Sequence, residues 1–271
     1  MNSICFRFVL CALLAATAFA ITACSSSPEV KEEDDTSELV VDTGPDVQEI
    51  FAQASDALDA EQWDRAARLY GEVVDADPHR WDAHMNRGIA LVRTLEFDAA
   101  IDSFEMALRN GGDDEPIVYF NLGNLYQERG LYESAINAYR ASMAVTGALD
   151  YDTLLNISAC FTFLNAYDKA RLTIDRALEL DPDDPRAFVS LGILEFAEER
   201  PEDSLQIFEE LLASHPDLPP AHYNRGYVLM RMEKDHEALD AFETYLNVAP
   251  DGPYVTQSES HIMAIENRLE R

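Results

Sequence analysis

The chain has 271 residues, 47% of them hydrophobic and 10% aromatic, so it can bury a substantial core and is not disordered overall. Its formal net charge of −31 argues against binding nucleic acid or an anionic membrane surface, because every phosphate would meet a repulsive field. Two interpretations of the acidity stay open. One is a surface adapted to a salty habitat, which the scarcity of lysine fits, and the other is a surface for a basic partner.

The first predicted element is an export signal. Arg7 precedes FVLCALLAATAFAIT, an apolar run of about 15 residues that is shorter than the roughly 20 a membrane-spanning helix needs. The run closes with Ile21-Thr22-Ala23-Cys24, which resembles the lipobox of bacterial lipoprotein signal peptides. The resemblance implies that residues 1–23 are cleaved off and that Cys24 is lipidated, with acyl chains such as palmitate anchoring the protein. An uncleaved signal anchor is the alternative, because a single arginine precedes the run.

Residues 24–46 are predicted to form an acidic tether. After Cys24 they read SSSPEVKEEDDTSELVVDTGPD, which has no aromatic residue and cannot bury enough apolar surface to fold. Ser25 stands where an aspartate would suggest retention in the inner membrane. The lipobox resemblance therefore implies an outer-membrane anchor, with the folded part starting near Val47 in the periplasm.

From residue 47 to residue 252 a pattern recurs every 34 or 35 residues. It begins with a small residue, continues with another small residue twelve positions later and a large apolar residue four further on, and ends at proline or glycine. The first small residues are Ala54, Gly88, Gly123, Ser158, Gly192 and Gly226. Apolar residues at helical spacing, with a breaker in the middle and at the end of each unit, predict repeated helix-turn-helix pairs.

This spacing, with L-G-x-x-Y at Leu122, Gly123 and Tyr126 followed by A-x-x-x-Y/F, resembles the tetratricopeptide repeat family. The resemblance implies an all-α fold, a right-handed α-solenoid of six helix-turn-helix units plus a C-terminal capping helix at 253–271. In the capping helix, Thr256 and Glu259 have capping-box spacing, and Ile262, Ile265 and Leu269 fall on one face. The six units are predicted at 47–80, 81–114, 116–149, 151–184, 185–218 and 219–252.

The same resemblance implies a concave groove lined by the first helix of each unit. Asparagine at position 6 of a unit holds a peptide backbone in many family members, although asparagine is also common there for structural reasons. The neighbouring positions 5, 9, 12 and 13 are largely apolar; packing on the next unit is the alternative role for these side chains. The predicted peptide-binding residues are Asn86, Ile89, Phe120, Asn121, Asn124, Gln127, Leu155, Asn156, Phe163, Val189, Ile193, Phe196, Tyr223, Asn224 and Tyr227.

Family members that clamp a terminal carboxylate carry basic residues in this groove, whereas here only Arg93, Arg186 and Arg231 qualify. An apolar or amphipathic segment is therefore the expected ligand. The aromatic residues just after the mid-unit turns are predicted to pack between neighbouring units. They are Trp63, Phe97, Tyr132 and Tyr167.

Evidence for catalysis is weak. The histidines are scattered, and His84 and His222 occupy equivalent repeat positions, which indicates packing. Cys160 lies in an apolar run and is predicted to be a buried thiol, and no cysteine spacing is typical of a metal site. We therefore predict no catalytic residue, metal or cofactor. An enzyme with an unrecognised groove site is the remote alternative.

A lipobox followed by six such repeats resembles the pilotin lipoproteins of type IV pili, which help secretin subunits assemble in the outer membrane. The resemblance implies a non-catalytic scaffold that binds a protein segment, with a secretin as the partner and no nucleic acid or small-molecule substrate. The alternative is an adaptor that recruits cell-wall (peptidoglycan) enzymes.

Overall fold

The computed structural model describes residues 46–270, in which thirteen α-helices and no strand occur. A π-helical segment, Leu108–Gly112, follows the fourth helix. The α-helices are α1 (Val47–Asp59), α2 (Trp63–Ala76), α3 (Trp81–Arg93), α4 (Phe97–Ala107), α5 (Pro116–Glu128), α6 (Tyr132–Thr146), α7 (Tyr151–Phe163), α8 (Tyr167–Leu180), α9 (Pro185–Ala197), α10 (Pro201–Ser214), α11 (Pro219–Arg231), α12 (Asp235–Val248) and α13 (Val255–Leu269).

The described chain divides into two compact units after Gly147. The N-terminal unit contains α1–α6 and the C-terminal unit contains α7–α13. In both units consecutive helices pair as helix-turn-helix, and α13 packs against α12. The prediction of an all-helical fold with six helix pairs and a C-terminal helix is confirmed. The predicted signal peptide, Cys24 and the tether as far as residue 45 lie outside the described residues.

Glycine in the first helix allows the two helices of a pair to approach closely. A Cβ atom added to Gly123 would lie 2.6 Å from Tyr139 Cε1, and one added to Gly192 would lie 2.7 Å from Phe208 Cζ. Both aromatic side chains have 0% exposure. The first helix therefore sits directly on the aromatic ring of the second, as the repeat pattern predicts for Gly123.

Each turn within a pair contains one residue with a left-handed backbone, at the same position of every repeat. Only glycine and, to a lesser degree, asparagine adopt this conformation readily. Two of the six turns have glycine or asparagine at this position. The remaining four have glutamate or leucine, so their backbones are locally strained. The six residues, with their φ angles, are Glu61 (56°), Leu95 (64°), Gly130 (73°), Asn165 (54°), Glu199 (62°) and Glu233 (59°).

The start of α13 differs from its prediction. Tyr254 is the N-cap residue, and no side chain caps the helix, so the predicted capping box of Thr256 and Glu259 is wrong. Aromatic contacts fix this helix start instead. The Tyr254 ring stacks on Tyr223 with 4.4 Å between centroids, and the Tyr254 backbone N–H donates to Tyr245 Oη at 2.9 Å.

The apolar face predicted for α13 is confirmed in part. Ile265 has 0% exposure, and Ile262 is partly buried against the core of the C-terminal unit. Leu269, near the end of the helix, is 43% exposed.

Two equivalent histidines make the same contact. His84 Nε2 lies 2.9 Å from the Pro78 carbonyl oxygen, and His222 Nε2 lies 2.7 Å from the Pro216 carbonyl oxygen. Since a carbonyl only accepts, the Nε2–H tautomer is the donor in both repeats. The packing role predicted from their repeat position is confirmed.

The aromatic residues after the turns contact the next repeat at two positions. Arg93 lies over the Trp63 ring, 4.7 Å from its centroid, and Arg129 lies over the Phe97 ring at 5.5 Å. These cation–π contacts join consecutive pairs of the N-terminal unit. Tyr132 is buried, whereas the half-buried Tyr167 donates to Asn165 Oδ1 in its own turn.

Candidate functional site

In the second pair of the N-terminal unit, the predicted groove residues are packed into the fold. Asn86 is 2% exposed and Ile89 is 1% exposed. Asn86 Nδ2 donates to Tyr70 Oη at 3.2 Å, and Ser55 Oγ lies 3.0 Å from the same oxygen. Asn86 therefore ties the first helix of the second repeat to the second helix of the first repeat.

The third pair holds a small amide cluster. Tyr139 Oη lies 2.7 Å from Asn124 Oδ1 and 2.6 Å from Gln127 Oε1. A phenol has one proton to donate, so one of the two amides must turn its NH₂ group toward the hydroxyl. The half-buried Phe120 ring lies 5.8 Å from the Tyr139 ring, and Asn121 is 1% exposed. Only Phe120 and Asn124 of this group reach the surface.

In the C-terminal unit, several predicted groove residues also support the fold. Tyr223 is 1% exposed and sits among Phe242, Tyr245 and Tyr254. Asn224 Nδ2 donates to the Pro220 carbonyl oxygen at 2.6 Å. The Tyr223 contact with Tyr254 joins the last repeat to the start of the C-terminal helix, whereas the Asn224 hydrogen bond stays within α11.

Ten of the fifteen predicted groove residues are thus buried, and five are half-buried. Their role in peptide binding stays a prediction, and the surface within reach of a partner is smaller than the set suggests. The buried ten are Asn86, Ile89, Asn121, Gln127, Leu155, Asn156, Val189, Tyr223, Asn224 and Tyr227, and the half-buried five are Phe120, Asn124, Phe163, Ile193 and Phe196.

Half-buried apolar residues recur on the first helices of the C-terminal unit. We call this set the apolar strip: Ala159, Phe163, Ile193, Phe196 and Met230. The Phe196 ring packs edge-on against Tyr227 with 5.7 Å between centroids, so α9 and α11 are in contact along the strip. In the three repeats of the C-terminal unit, no charged residue occurs at positions 5, 9 and 12 of the first helix.

The three arginines considered for a carboxylate clamp already have partners. Arg93 stacks on Trp63, Arg186 binds Asp184 with Nε 3.0 Å from Oδ1, and Arg231 Nη1 donates to Tyr227 Oη at 3.3 Å. A clamp would require these contacts to break.

An ion-pair network around the buried Glu195 was missed by sequence reasoning. Glu195, which is 7% exposed, accepts from Arg171 at 2.8 Å and from Arg200 at 2.5 Å. Glu198 binds the same two arginines. The network links α8, α9 and the turn into α10. Its one sequence signal is a glutamate inside the otherwise apolar second half of α9.

His261 was also missed as a packing residue. Its ring lies 5.2 Å from Phe242, 5.8 Å from Tyr227 and 6.3 Å from Tyr223, measured between centroids. Burial in this apolar surrounding lowers the pKa of His261. Burial also raises the pKa of the Cys160 thiol, which has 0% exposure, so this cysteine is a poor nucleophile.

Within residues 46–270, no group of three potential ligands among histidine, cysteine, aspartate and glutamate is placed to hold a metal ion. The helices of this range are all too short or too polar to span a bilayer.

A tetratricopeptide repeat family model matches residues 51–115, 120–185, 163–219 and 189–254. The chain belongs to the tetratricopeptide repeat family. Among curated proteins, it is 31% identical over 137 residues to protein CTR9 homolog of Arabidopsis thaliana. It is 32% identical over 92 residues to small glutamine-rich tetratricopeptide repeat-containing protein 2 of Saccharomyces cerevisiae. These matches cover 50% and 33% of this chain but 12% and 26% of the relatives' lengths.

Solved structures show the same fold. A tetratricopeptide repeat protein from Parabacteroides merdae superimposes with a TM-score of 0.67 at 19% identity, covering 83% of this chain and 92% of that one. PilW, described as a widely conserved type IV pilus biogenesis factor, gives a TM-score of 0.62 at 16% identity, with 81% and 97% covered. Tetratricopeptide repeats are generally non-catalytic and bind proteins or peptides, so membership of this family supports a role in protein binding.

Proposed function

We propose that the C-terminal unit holds an apolar or amphipathic segment of a partner protein along the apolar strip. One observation carries the proposal: half-buried apolar side chains recur on the first helices of three consecutive repeats in a chain of net charge −31. Single exposed apolar residues are common on proteins, whereas a contiguous set inside a polar surface is typical of an interaction site.

The composition of α7 and α9 supports this role. The thirteen residues of α7 contain one charged residue, Asp152, and those of α9 contain two, Arg186 and Glu195. A helix that is apolar on nearly every side needs apolar neighbours on nearly every side. A partner segment along the strip would complete the burial of Ile193 and Phe196, which are half-buried in the described chain.

We further propose that the protein is a lipoprotein anchored at Cys24 in the outer membrane, with its repeats in the periplasm, and that it acts in pilus or secretin assembly. The lipobox-like sequence before Cys24 and the acidic segment after it support the anchor. The fold shared with PilW agrees with a pilus role, and recruitment of a peptidoglycan enzyme is the alternative.

Site-specific photocrosslinking in the bacterial envelope tests the partner. A photoreactive amino acid at Ile193 lies in the strip, and one at the exposed Gln206 of α10 is the matched control in the same repeat. We expect a secretin subunit to crosslink at position 193 and not at 206. A peptidoglycan hydrolase at position 193 would favour the alternative, and crosslinks at 206 alone would reject the strip as the site.

A supporting variant should weaken binding without unfolding the chain. Replacing Phe120, Leu155 and Tyr223 together by serine would not serve this purpose. Leu155 and Tyr223 are buried, and Tyr223 stacks on Tyr254 at the start of the C-terminal helix. Ile193→Ser with Phe196→Ser keeps the fully buried core intact. We expect normal helicity by circular dichroism and loss of partner capture.

The anchor has its own test. Cys24→Ser should abolish incorporation of a labelled fatty acid and release the protein from the membrane fraction. Continued labelling of the variant would refute lipidation at Cys24.

A further inference from the structure

We infer that the segment bound by the C-terminal unit is an amphipathic helix with basic residues along one flank. This inference rests on the proposed function of the apolar strip and adds the chemistry of the partner. This flank faces the loops that connect the second helix of one pair to the following helix. We call residues 148–152, 181–186, 215–219 and 250–252 the loop edge.

The loop edge is strongly acidic. It contains seven aspartates and one arginine: Asp150, Asp152, Asp181, Asp183, Asp184, Asp217, Asp251 and Arg186. The arginine is already engaged, since it binds Asp184 and Asp152. No other lysine or arginine lies in these four segments.

Helix capping explains part of this acidity. Asp150 accepts a hydrogen bond from the Thr153 backbone N–H at 2.8 Å, and Asp184 accepts one from the Arg186 backbone N–H at 2.9 Å. Asp183, Asp217 and Asp251 are exposed, and in the described chain their carboxylates cap no helix and form no ion pair. These three charges are surplus to the needs of the fold.

The opposite edge of the strip is balanced. The turns within the pairs, residues 164–166, 198–200 and 231–234, form what we call the turn edge. It carries Glu198, Glu199 and Glu233 against Arg200, Arg231 and Lys234. Glu198 is also paired with Arg171 and Arg200. The turn edge therefore offers little net field to a partner.

The strip lies between these two edges. The helices α7, α9 and α11 begin at the loop edge and end at the turn edge. The strip residues are the ninth to thirteenth residues of these thirteen-residue helices, so the strip lies closer to the turn edge. An apolar segment in the strip therefore has one flank that faces the surplus aspartates across the first half of these helices, and its other flank lies beside a neutral edge. Lysine or arginine on the first flank gains Coulomb energy, and the same residues on the second flank gain little.

Binding of synthetic helical peptides to the purified full chain tests the inference. All peptides share one apolar face and differ in their flanks: glutamine on both, lysine on one, lysine on both, or glutamate on one. We expect the peptide with one lysine flank to bind at least fivefold more tightly than the glutamine peptide at low salt. A second lysine flank should add less than twofold, and about 0.5 M NaCl should remove the gain by screening.

Two double variants separate the edges. Asp183→Asn with Asp217→Asn removes two exposed charges from the loop edge, and Glu199→Gln with Glu233→Gln removes two from the turn edge. We expect the first variant to lose most of the lysine preference and the second to keep it. Equal losses in both variants would overturn the inference, since the whole-molecule field would then explain the preference.

The peptide set also distinguishes this inference from the function on which it rests. If the glutamine peptide binds and Ile193→Ser weakens it, but lysine gives no gain, the strip binds apolar segments and the flank inference is wrong. If no peptide binds to the chain, the proposed function of the strip itself fails.

Discussion

Replacing helical glycines by alanine in the N-terminal unit should change stability in the order of the space available to the new methyl group. Gly71, Gly88 and Gly123 all lie inside helices, so alanine gains about 1 kcal/mol of helix propensity at each position. The nearest atoms to an added Cβ differ: Arg87 Nε at 3.9 Å for Gly71, Phe104 Cε1 at 3.0 Å for Gly88, and Tyr139 Cε1 at 2.6 Å for Gly123.

Overpacking a close-packed site costs about 1–3 kcal/mol. Gly71→Ala should therefore stabilise the unit by about 1 kcal/mol. Gly88→Ala should be close to neutral, because the Phe104 ring must yield by only a few tenths of an ångström. Gly123→Ala should destabilise the unit by up to about 2 kcal/mol after the gain in helix propensity is subtracted, because the buried Tyr139 ring cannot move away without breaking its contacts to Asn124 and Gln127.

Urea unfolding followed by tryptophan fluorescence measures this series directly. Both tryptophans of the chain, Trp63 and Trp81, lie in the N-terminal unit, so the signal reports on the unit that is changed. Gly71→Ala serves as the control for helix propensity. A Gly123→Ala variant as stable as Gly71→Ala would show that close approach of the helices does not limit this position.

Three further predictions follow from the turns, the ion-pair network and the aromatic cluster. Leu95→Gly should raise the free energy of unfolding by about 0.5–1 kcal/mol, because it removes the backbone strain of a left-handed leucine that is 70% exposed. Gly130→Ala is the control and should have the opposite effect; destabilisation by Leu95→Gly would contradict the argument. Glu195→Ala should destabilise the C-terminal unit by about 1–2 kcal/mol in thermal unfolding, since two arginines lose their shared buried partner. An unchanged unfolding midpoint would show that solvent replaces the network. The pKa of His261 is lowered in the folded state, so below about pH 6.5 the unfolded chain binds a proton that the folded chain does not, and the free energy of unfolding decreases as the pH is lowered. In urea titrations from pH 7.5 to 5, this decrease should be smaller for His261→Phe than for the unchanged protein, and equal decreases would exclude this role.

The fold could be predicted because six repeats present the same pattern in one chain. Small residues such as Gly88 and Gly123 coincide with large buried rings sixteen positions later, and this spacing has one structural solution, two helices in close contact. The turn at Gly130 could be predicted from the same repeated pattern. At Leu95 and Glu199 the repeat predicts the turn but not its left-handed backbone, because these residue types give no sign of that conformation.

The candidate site was less predictable, because groove-facing and stack-facing positions alternate within one turn of the first helix. Tyr223 and Asn86 fit the family's groove positions, yet their side chains are used in packing and hydrogen bonding inside the stack. Burial of this kind depends on which neighbouring side chain is large enough to cover the position. The same holds for the start of α13, where tyrosine stacking acts in place of the capping box that the local sequence suggested.

The division after Gly147 offers a way to dissect the molecule. A break at this point leaves three complete helix pairs on each side, and three repeats are about the minimum for a stable array. Gly147 ends α6 in a left-handed conformation with open space around it, and residues 147–150 are exposed, so no buried backbone would be cut. A fragment starting at residue 148 would retain the apolar strip, both of its edges and the C-terminal helix, and could be used by itself to isolate a partner.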